Sequence, residues 1–280
     1  MELKKAFIFM LISTLSFSLM NAIVKYLVHL PAYELVFFRS LGTLLFSTSF
    51  LVFHKIPILG NKRKLLLSRA IFGVISMTLF FMSLKYLTMG TAVSLRYIAP
   101  IFAAIFAIFM LREKVKLIQW LFFAIAFGGV LVLKGLDKEI DTFGLSLIIG
   151  AAFFSGLVFV TITKIGKQDH PVVVVNYFMF VATLVGGFLM LFNFVTPKGI
   201  EWLLLLLLGV FGYFGQLYMT KAFQSASTNQ VAPFKYIEVV FTVILGFFWF
   251  QESYSLWSLL GILMIIGGLV LNALYKRGSL

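Results

Sequence analysis

The chain has 280 residues, of which 61% are hydrophobic and 12% charged, and its mean hydropathy is +1.06. A soluble domain is nearer half apolar and a quarter charged, and no soluble core of this length could bury so much apolar surface; a soluble globular protein is therefore excluded and an integral membrane protein expected. The net charge of +13 does not describe a nucleic-acid-binding surface, because Lys and Arg are scattered between apolar runs; it fits juxtamembrane charge that sets topology against an anionic leaflet. Cysteine is absent, which rules out disulfides and Cys-based metal sites.

A helix that crosses the hydrocarbon takes roughly 20 apolar residues. Ten such runs follow one another: 5–27, 32–53, 68–87, 90–111, 117–134, 143–164, 171–194, 200–221, 228–250 and 255–275. The first has a basic start like a signal peptide, but its apolar run is too long and lacks a small-residue cleavage site, so it is read as a retained helix; it carries Asn21. The second carries Arg39, expected to pair with Glu34 or to cap a neighbouring helix end, with a gating role as the alternative. The third carries Lys85 near its end, and the fourth contains Arg96, Tyr97 and Pro100. The eighth has Gly209, Gly212 and Gly215 at spacings of three, which suits close helix packing. Gln216 and Tyr218 follow as cavity-lining candidates, with Asn21, Ser16 and Ser155 as weaker polar candidates elsewhere. Lys221, like Lys85, stands near a helix C-terminus, where a cation suits the macrodipole or contacts substrate. The histidines, His29, His54 and His170, fall at segment ends and are read as solvated loop residues; Glu113 and Glu252 are read as interfacial.

Lys and Arg in the connections set the orientation. With the N-terminus inside, the inner side receives most of them, Lys62, Arg63, Lys64 and Arg69 included, and the outer side mainly Lys85, Lys134, Lys138 and Lys198. Both termini are therefore expected in the cytoplasm, with the chain a multi-pass protein of the inner (plasma) membrane. No connection is long enough for a soluble domain.

The chain also repeats itself. Residues 96–133, beginning "RYIAPIFAAIF", align without a gap on 235–272, beginning "KYIEVVFTVIL". Tyr97 meets Tyr236, Glu113 meets Glu252, and Gly128-Gly129 meets Gly267-Gly268. Each half holds five segments, an odd number, so the second enters the membrane upside down. The expected architecture is an all-α polytopic membrane protein: ten transmembrane helices in two inverted five-helix repeats, 1–135 and 143–280, joined by a loop at 136–142. Inverted repeats are a signature of secondary transporters, with substrate bound at the pseudo-twofold axis near the midplane.

The charges inside the ninth segment are the functional clue. Glu238 lies roughly 15 Å in, near the midplane of a ~30 Å core, and Lys235 about one turn shallower, on the same face and close enough to pair. A midplane charge costs about 2.5–3.5 kcal/mol and usually marks a pathway. Pro233 removes a backbone donor beside it. In the first half Arg96 and Tyr97 match Lys235 and Tyr236, but Ala99 stands where Glu238 would be. Two cations and one carboxylate therefore converge, which favours an anionic substrate or a zwitterion whose amine meets Glu238 and whose carboxylate meets Arg96 or Lys235. Glu238 is also a candidate for proton or ion coupling, because burial favours the neutral form of carboxyl groups. The competing reading is a self-satisfied Lys–Glu pair that only fixes helix packing.

These segments resemble the drug/metabolite transporter superfamily, specifically its ten-helix EamA-type members, over essentially the full length. The likeness rests on "RYIAPIFAAIFAIFMLREKV" and "APFKYIEVVFTVILGFFWFQE", each ending the fourth helix of a half in a Glu, and on the glycine pairs in the last helix of each half. "TKAF" followed by "APFKYIE" looks like the subgroup that contains S-adenosylmethionine importers. The resemblance implies a central cavity, alternating access and movement of a small organic metabolite. No metalloprotease, phosphate-loop or serine-elbow motif is present, so neither an enzyme nor a bound cofactor is expected. Expected partners are a small-molecule substrate and the bilayer, and a homodimer is compatible with the sequence. The other class considered is a non-transporting membrane scaffold or sensor subunit.

Overall fold

The computed structural model describes residues 2–111, 116–136, 141–225 and 232–278. Among them every regular element is helical. The helices are α1 (Glu2–Tyr26), α2 (Ala32–Phe53), α3 (Arg63–Ser83), α4 (Met89–Arg96), α5 (Ala99–Leu111), α6 (Leu117–Leu136), α7 (Thr142–Ile165), α8 (Pro171–Met190), α9 (Glu201–Ser225), α10 (Ile237–Phe250) and α11 (Leu256–Gly278). Seven spans are long and apolar enough to cross a membrane, with Met89–Met110 counted across its break, and Leu117–Val132 and Leu256–Asn272 are shorter apolar helices. Expected segment limits hold to a few residues, with two informative departures. The third helix starts at Arg63, five residues earlier than expected, which draws Arg69 into the bundle. The fourth segment breaks at Tyr97-Ile98, and the ninth opens as a 3-10 turn over Ala232–Tyr236 before α10 begins.

Local chemistry sets these ends. Asp141 caps α7 by accepting from the Gly144 N–H at 2.6 Å. Pro171 sits in the first turn of α8, where its missing N–H costs nothing, and His170 before it accepts from the Val172 N–H. Buried Asp169 accepts from the backbone N–H groups of Asn61 and Lys62, tying the start of α3 to the start of α8. The face at which α1 begins is called the near face below, and the opposite one the far face.

The helices pack as α1 on α9, α3 on α7, α2 on α8, α6 on α11, α2 on α9, α3 on α8, α5 on α7, α1 on α10 and α4 on α10. Exchanging each helix for its counterpart in the other half returns the same set of neighbours. The α6–α11 pair shows how close the agreement is. A Cβ added at Gly129 would stand 2.6 Å from the Gly261 carbonyl oxygen, and one at Gly268 would stand 2.6 Å from the Phe122 carbonyl oxygen. The glycines of α9 pack as their spacing implies: Gly209 backs onto Gly42 of α2, and the Ser13 hydroxyl donates to the Gly215 carbonyl at 2.7 Å. A Cβ at Gly209 would lie 2.7 Å from the Gly42 Cα, backbone that cannot give way. Gly209→Val is expected to destabilise the protein by about 1–3 kcal/mol, read as a lower melting temperature in detergent; an unchanged melt would show that these helices do not touch.

Candidate functional site

The two helix breaks meet. Tyr97, which caps α4, and Tyr236, which precedes α10, stand edge to face with ring centroids 5.2 Å apart. They are matched residues of the two halves, so the contact lies on the pseudo-twofold axis. Beside them is Glu238, 4% exposed, in the first turn of α10. Its carboxylate accepts from the Tyr97 hydroxyl at 2.7 Å and from Asn21 Nδ2, on α1, at 3.2 Å. The Tyr97 hydroxyl also lies 3.1 Å from the Lys235 carbonyl oxygen, on the turn where the helical ladder is interrupted. The backbone of Glu238 is held as well, its carbonyl accepting from Ser18 and Thr242.

With its nitrogen donating to Glu238, the Asn21 amide turns its oxygen away from the carboxylate. The buried Asn21 Oδ1 is left without a donor among the described residues. That orphaned acceptor stands next to the carboxylate with its lone pairs unused.

Lys235 does not pair with Glu238. It sits in the 3-10 turn, so the three-residue spacing spans a break and not one helical face, and its ammonium lies 5.6 Å from the Tyr97 ring centroid. Arg96, half-buried at the end of α4, lies with its guanidinium 4.4 Å over the Phe80 ring. The self-satisfied Lys–Glu pair is therefore not what the structure contains: the carboxylate is held by neutral donors and both cations rest on aromatic faces.

Of the other expected residues, Pro100 stands in the first turn of α5, and Pro233 falls within the 3-10 turn. Gln216 and Lys221 belong to a different place, a groove of about 210 Å³ toward the near face between α2, α8 and α9. Tyr218 stacks on Phe214 and carries the Lys221 ammonium over its ring at 5.2 Å. Lys85 lines a groove of about 360 Å³ at the far face with His29, Tyr33 and Asn193. The expected Arg39–Glu34 pair is not formed. Glu34 turns to the far face and accepts from the Val195 N–H at 3.2 Å, while Arg39, a turn and more deeper, donates to the sulfurs of Met20 and Met77. The histidines keep to segment ends, but His29 pairs with Glu201 at 2.9 Å. Glu113 lies outside the described residues.

Two features escaped the sequence. Arg69, counted there with the loop charges, is 7% exposed and packs over the Phe178 ring at 4.2 Å. Glu252, expected at the interface, closes a polar knot at the far face. It lies 3.5 Å from the Lys25 ammonium and accepts from the Met89 N–H and from the Tyr254 hydroxyl. Burial and that carboxylate raise the Tyr254 pKa well above the usual phenol range. Lys25 also donates to the Leu84 and Leu87 carbonyls at 2.8 and 2.7 Å, so one ion pair joins the ends of α1 and α3, the start of α4 and the turn before α11.

Comparison with known proteins identifies the family. The chain is 30% identical over 283 residues to the pseudopaline exporter CntI of Pseudomonas aeruginosa, covering 98% of each. It is 28% identical over 251 residues to the S-adenosylmethionine uptake transporter of Rickettsia prowazekii, covering 86% of this chain and 83% of that one. A solved crystal structure shares the fold with a TM-score of 0.66 at 15% identity, covering 96% of this chain and 98% of that one. The family model described as the EamA-like transporter family matches residues 4–134 and 142–274. With nearly the whole length matched, the chain belongs to the EamA-like transporter family, as a multi-pass membrane transporter and not an enzyme.

Proposed function

We propose that the protein is a secondary active transporter that moves a small zwitterionic or anionic metabolite across the plasma membrane by alternating access. Its two halves, 1–135 and 143–280, rock about the contact of Tyr97 with Tyr236, and both termini face the cytoplasm. The single observation that carries the reading is the carboxylate of Glu238, buried where the halves meet and held by uncharged donors from two other helices. A charge at that depth is costly unless it serves a pathway. The substrate amine docks between Glu238 and the free Asn21 Oδ1, and its acid group docks against Arg96 or Lys235. Exchange of a proton or cation at Glu238 is the proposed coupling step. The relatives are named for export in one case and uptake in the other, so direction is left to experiment.

Ligands that bind only the folded state stabilise it by RT ln(1 + [L]/Kd), about 2.7 kcal/mol at a hundredfold excess over Kd, and so raise its melting temperature. A screen of purified protein against amino acids, nucleosides, S-adenosylmethionine and sugar phosphates is expected to yield amine-bearing, zwitterionic hits that Glu238→Gln abolishes. Hits indifferent to Glu238 would place the substrate elsewhere. Orientation has its own check: a Cys introduced at Lys62 is expected to react with an impermeant maleimide only from the cytoplasmic side, and labelling of intact cells would reverse the topology.

A further inference from the structure

Three arginines run through the bundle without a carboxylate. Arg39 is 4% and Arg69 7% exposed, and Arg96 is half-buried. Among the described residues none of them has an acidic side chain within ion-pairing distance; the two pairs found there are Lys25–Glu252 and His29–Glu201. The fold thus neutralises a half-buried lysine at the far face and leaves these deeper cations charged. Soft groups hold them instead. Arg69 lies over Phe178, Arg96 over Phe80, and Arg39 against the sulfurs of Met20 and Met77. Aromatic faces and thioethers orient a guanidinium but do not cancel its charge. Arg69 Nε and Nη1 are buried and find no acceptor among the described residues.

The three heads share one rail. A Cβ placed at Gly73 would stand 3.0 Å from Arg69 Nη1, so the missing side chain makes room for that head. Arg39 reaches Met77, and Arg96 reaches Phe80. Gly73, Met77 and Phe80 stand four and three residues apart on one face of α3, which sets the heads at axial intervals of about 6 and 4.5 Å. Oxyanion groups a few bonds apart on one small molecule have that spacing. A guanidinium offers five donors in a planar fork, stays ionised and grips carboxylates or phosphates with two parallel bonds. The row leads from the near-face half of α3, at Arg69, to the helix breaks, at Arg96, where Glu238 waits.

We propose that Arg39, Arg69 and Arg96 form an oxyanion-binding row along α3, and that the transported molecule carries two or more oxyanion groups that occupy it, leaving its amine to Glu238. The proposal rests on the transporter reading above and narrows its substrate class. To test it, purified full-length protein is titrated with citrate, inorganic pyrophosphate and propionate at constant ionic strength, with the melting temperature as readout. Citrate or pyrophosphate is expected to bind at least about tenfold more tightly than propionate, the response to each separating a carboxylate substrate from a phosphate one, and Arg69→Met is expected to weaken that binding about tenfold. Replacing an unpaired buried charge by an apolar chain of similar length should not unfold the protein, and Arg39→Met serves as an independent second variant. Equal binding of all three anions by the wild type overturns the row, whether or not either variant folds; so does unchanged citrate and pyrophosphate affinity in both variants. Either result leaves the Glu238-dependent hits of the ligand screen, and with them the transporter reading, untouched.

Discussion

Glu238→Gln is expected to reduce transport by about 10- to 100-fold, the worth of a charge-assisted contact to substrate, while the protein still inserts and elutes as one species. The substitution is nearly isosteric. Asn21 and Tyr97 keep a partner of the same shape, so folding should survive. What disappears is the negative charge at the meeting point of the halves. Tyr97→Phe isolates the second element: it keeps the ring against Tyr236 and removes only the hydroxyl, so a smaller loss, nearer tenfold, is expected. Measured uptake or efflux in vesicles separates the cases. Full transport by Glu238→Gln would mean that the carboxylate only packs the helices, and the substrate path would have to be sought along one of the grooves.

The second large effect is expected at the far face. Glu252→Ala leaves the Lys25 ammonium without its counterion and takes the acceptor from the Met89 N–H and the Tyr254 hydroxyl. Removing one member of such a buried pair typically costs 3–5 kcal/mol; because Lys25 keeps two carbonyl acceptors and some exposure, the expected loss is about 3 kcal/mol, seen as a lower melting temperature. Lys25→Met combined with Glu252→Ala should recover part of it, since the double variant no longer strands a charge. A melt unchanged by Glu252→Ala would show that the helix ends at the far face are held together by other contacts.

What could be read from the letters was whatever the duplication repeats. The gapless alignment placed Arg96 and Tyr97 over Lys235 and Tyr236, and the structure brings the two tyrosines into contact and sets the breaks of both helices beside them. The same alignment marked Glu238 as the position where the halves differ. Residues outside the matched stretch were legible as segments but not as partners. Gln216, Tyr218 and Lys221 are polar and lie within a membrane helix, yet which side of α9 meets the axis depends on its rotation and tilt; Gln216 and Lys221 line the near-face groove, and Tyr218 stacks on Phe214. Arg69 was hidden by its place: as the second residue of the expected third segment it read as a juxtamembrane charge, whereas the backbone starts the helix at Arg63 and sets Arg69 more than a turn inside it. Arg39 was assigned the nearest carboxylate in sequence, but Glu34 lies on the first turn of α2 and is drawn to the backbone N–H of Val195 across the far face. Lys25 and Glu252 stand 227 positions apart, and no local pattern announces that they meet.

Helix α1 holds both ends of this machinery. Asn21 grips Glu238 where the halves meet, and one turn later on the same side Lys25 grips Glu252 at the far face. A single α-helical turn is too short and too stiff to bend between them, so the two grips are shackled together like points on a connecting rod. Whatever pulls Asn21 off Glu238 strains the Lys25–Glu252 pair at the far face with it.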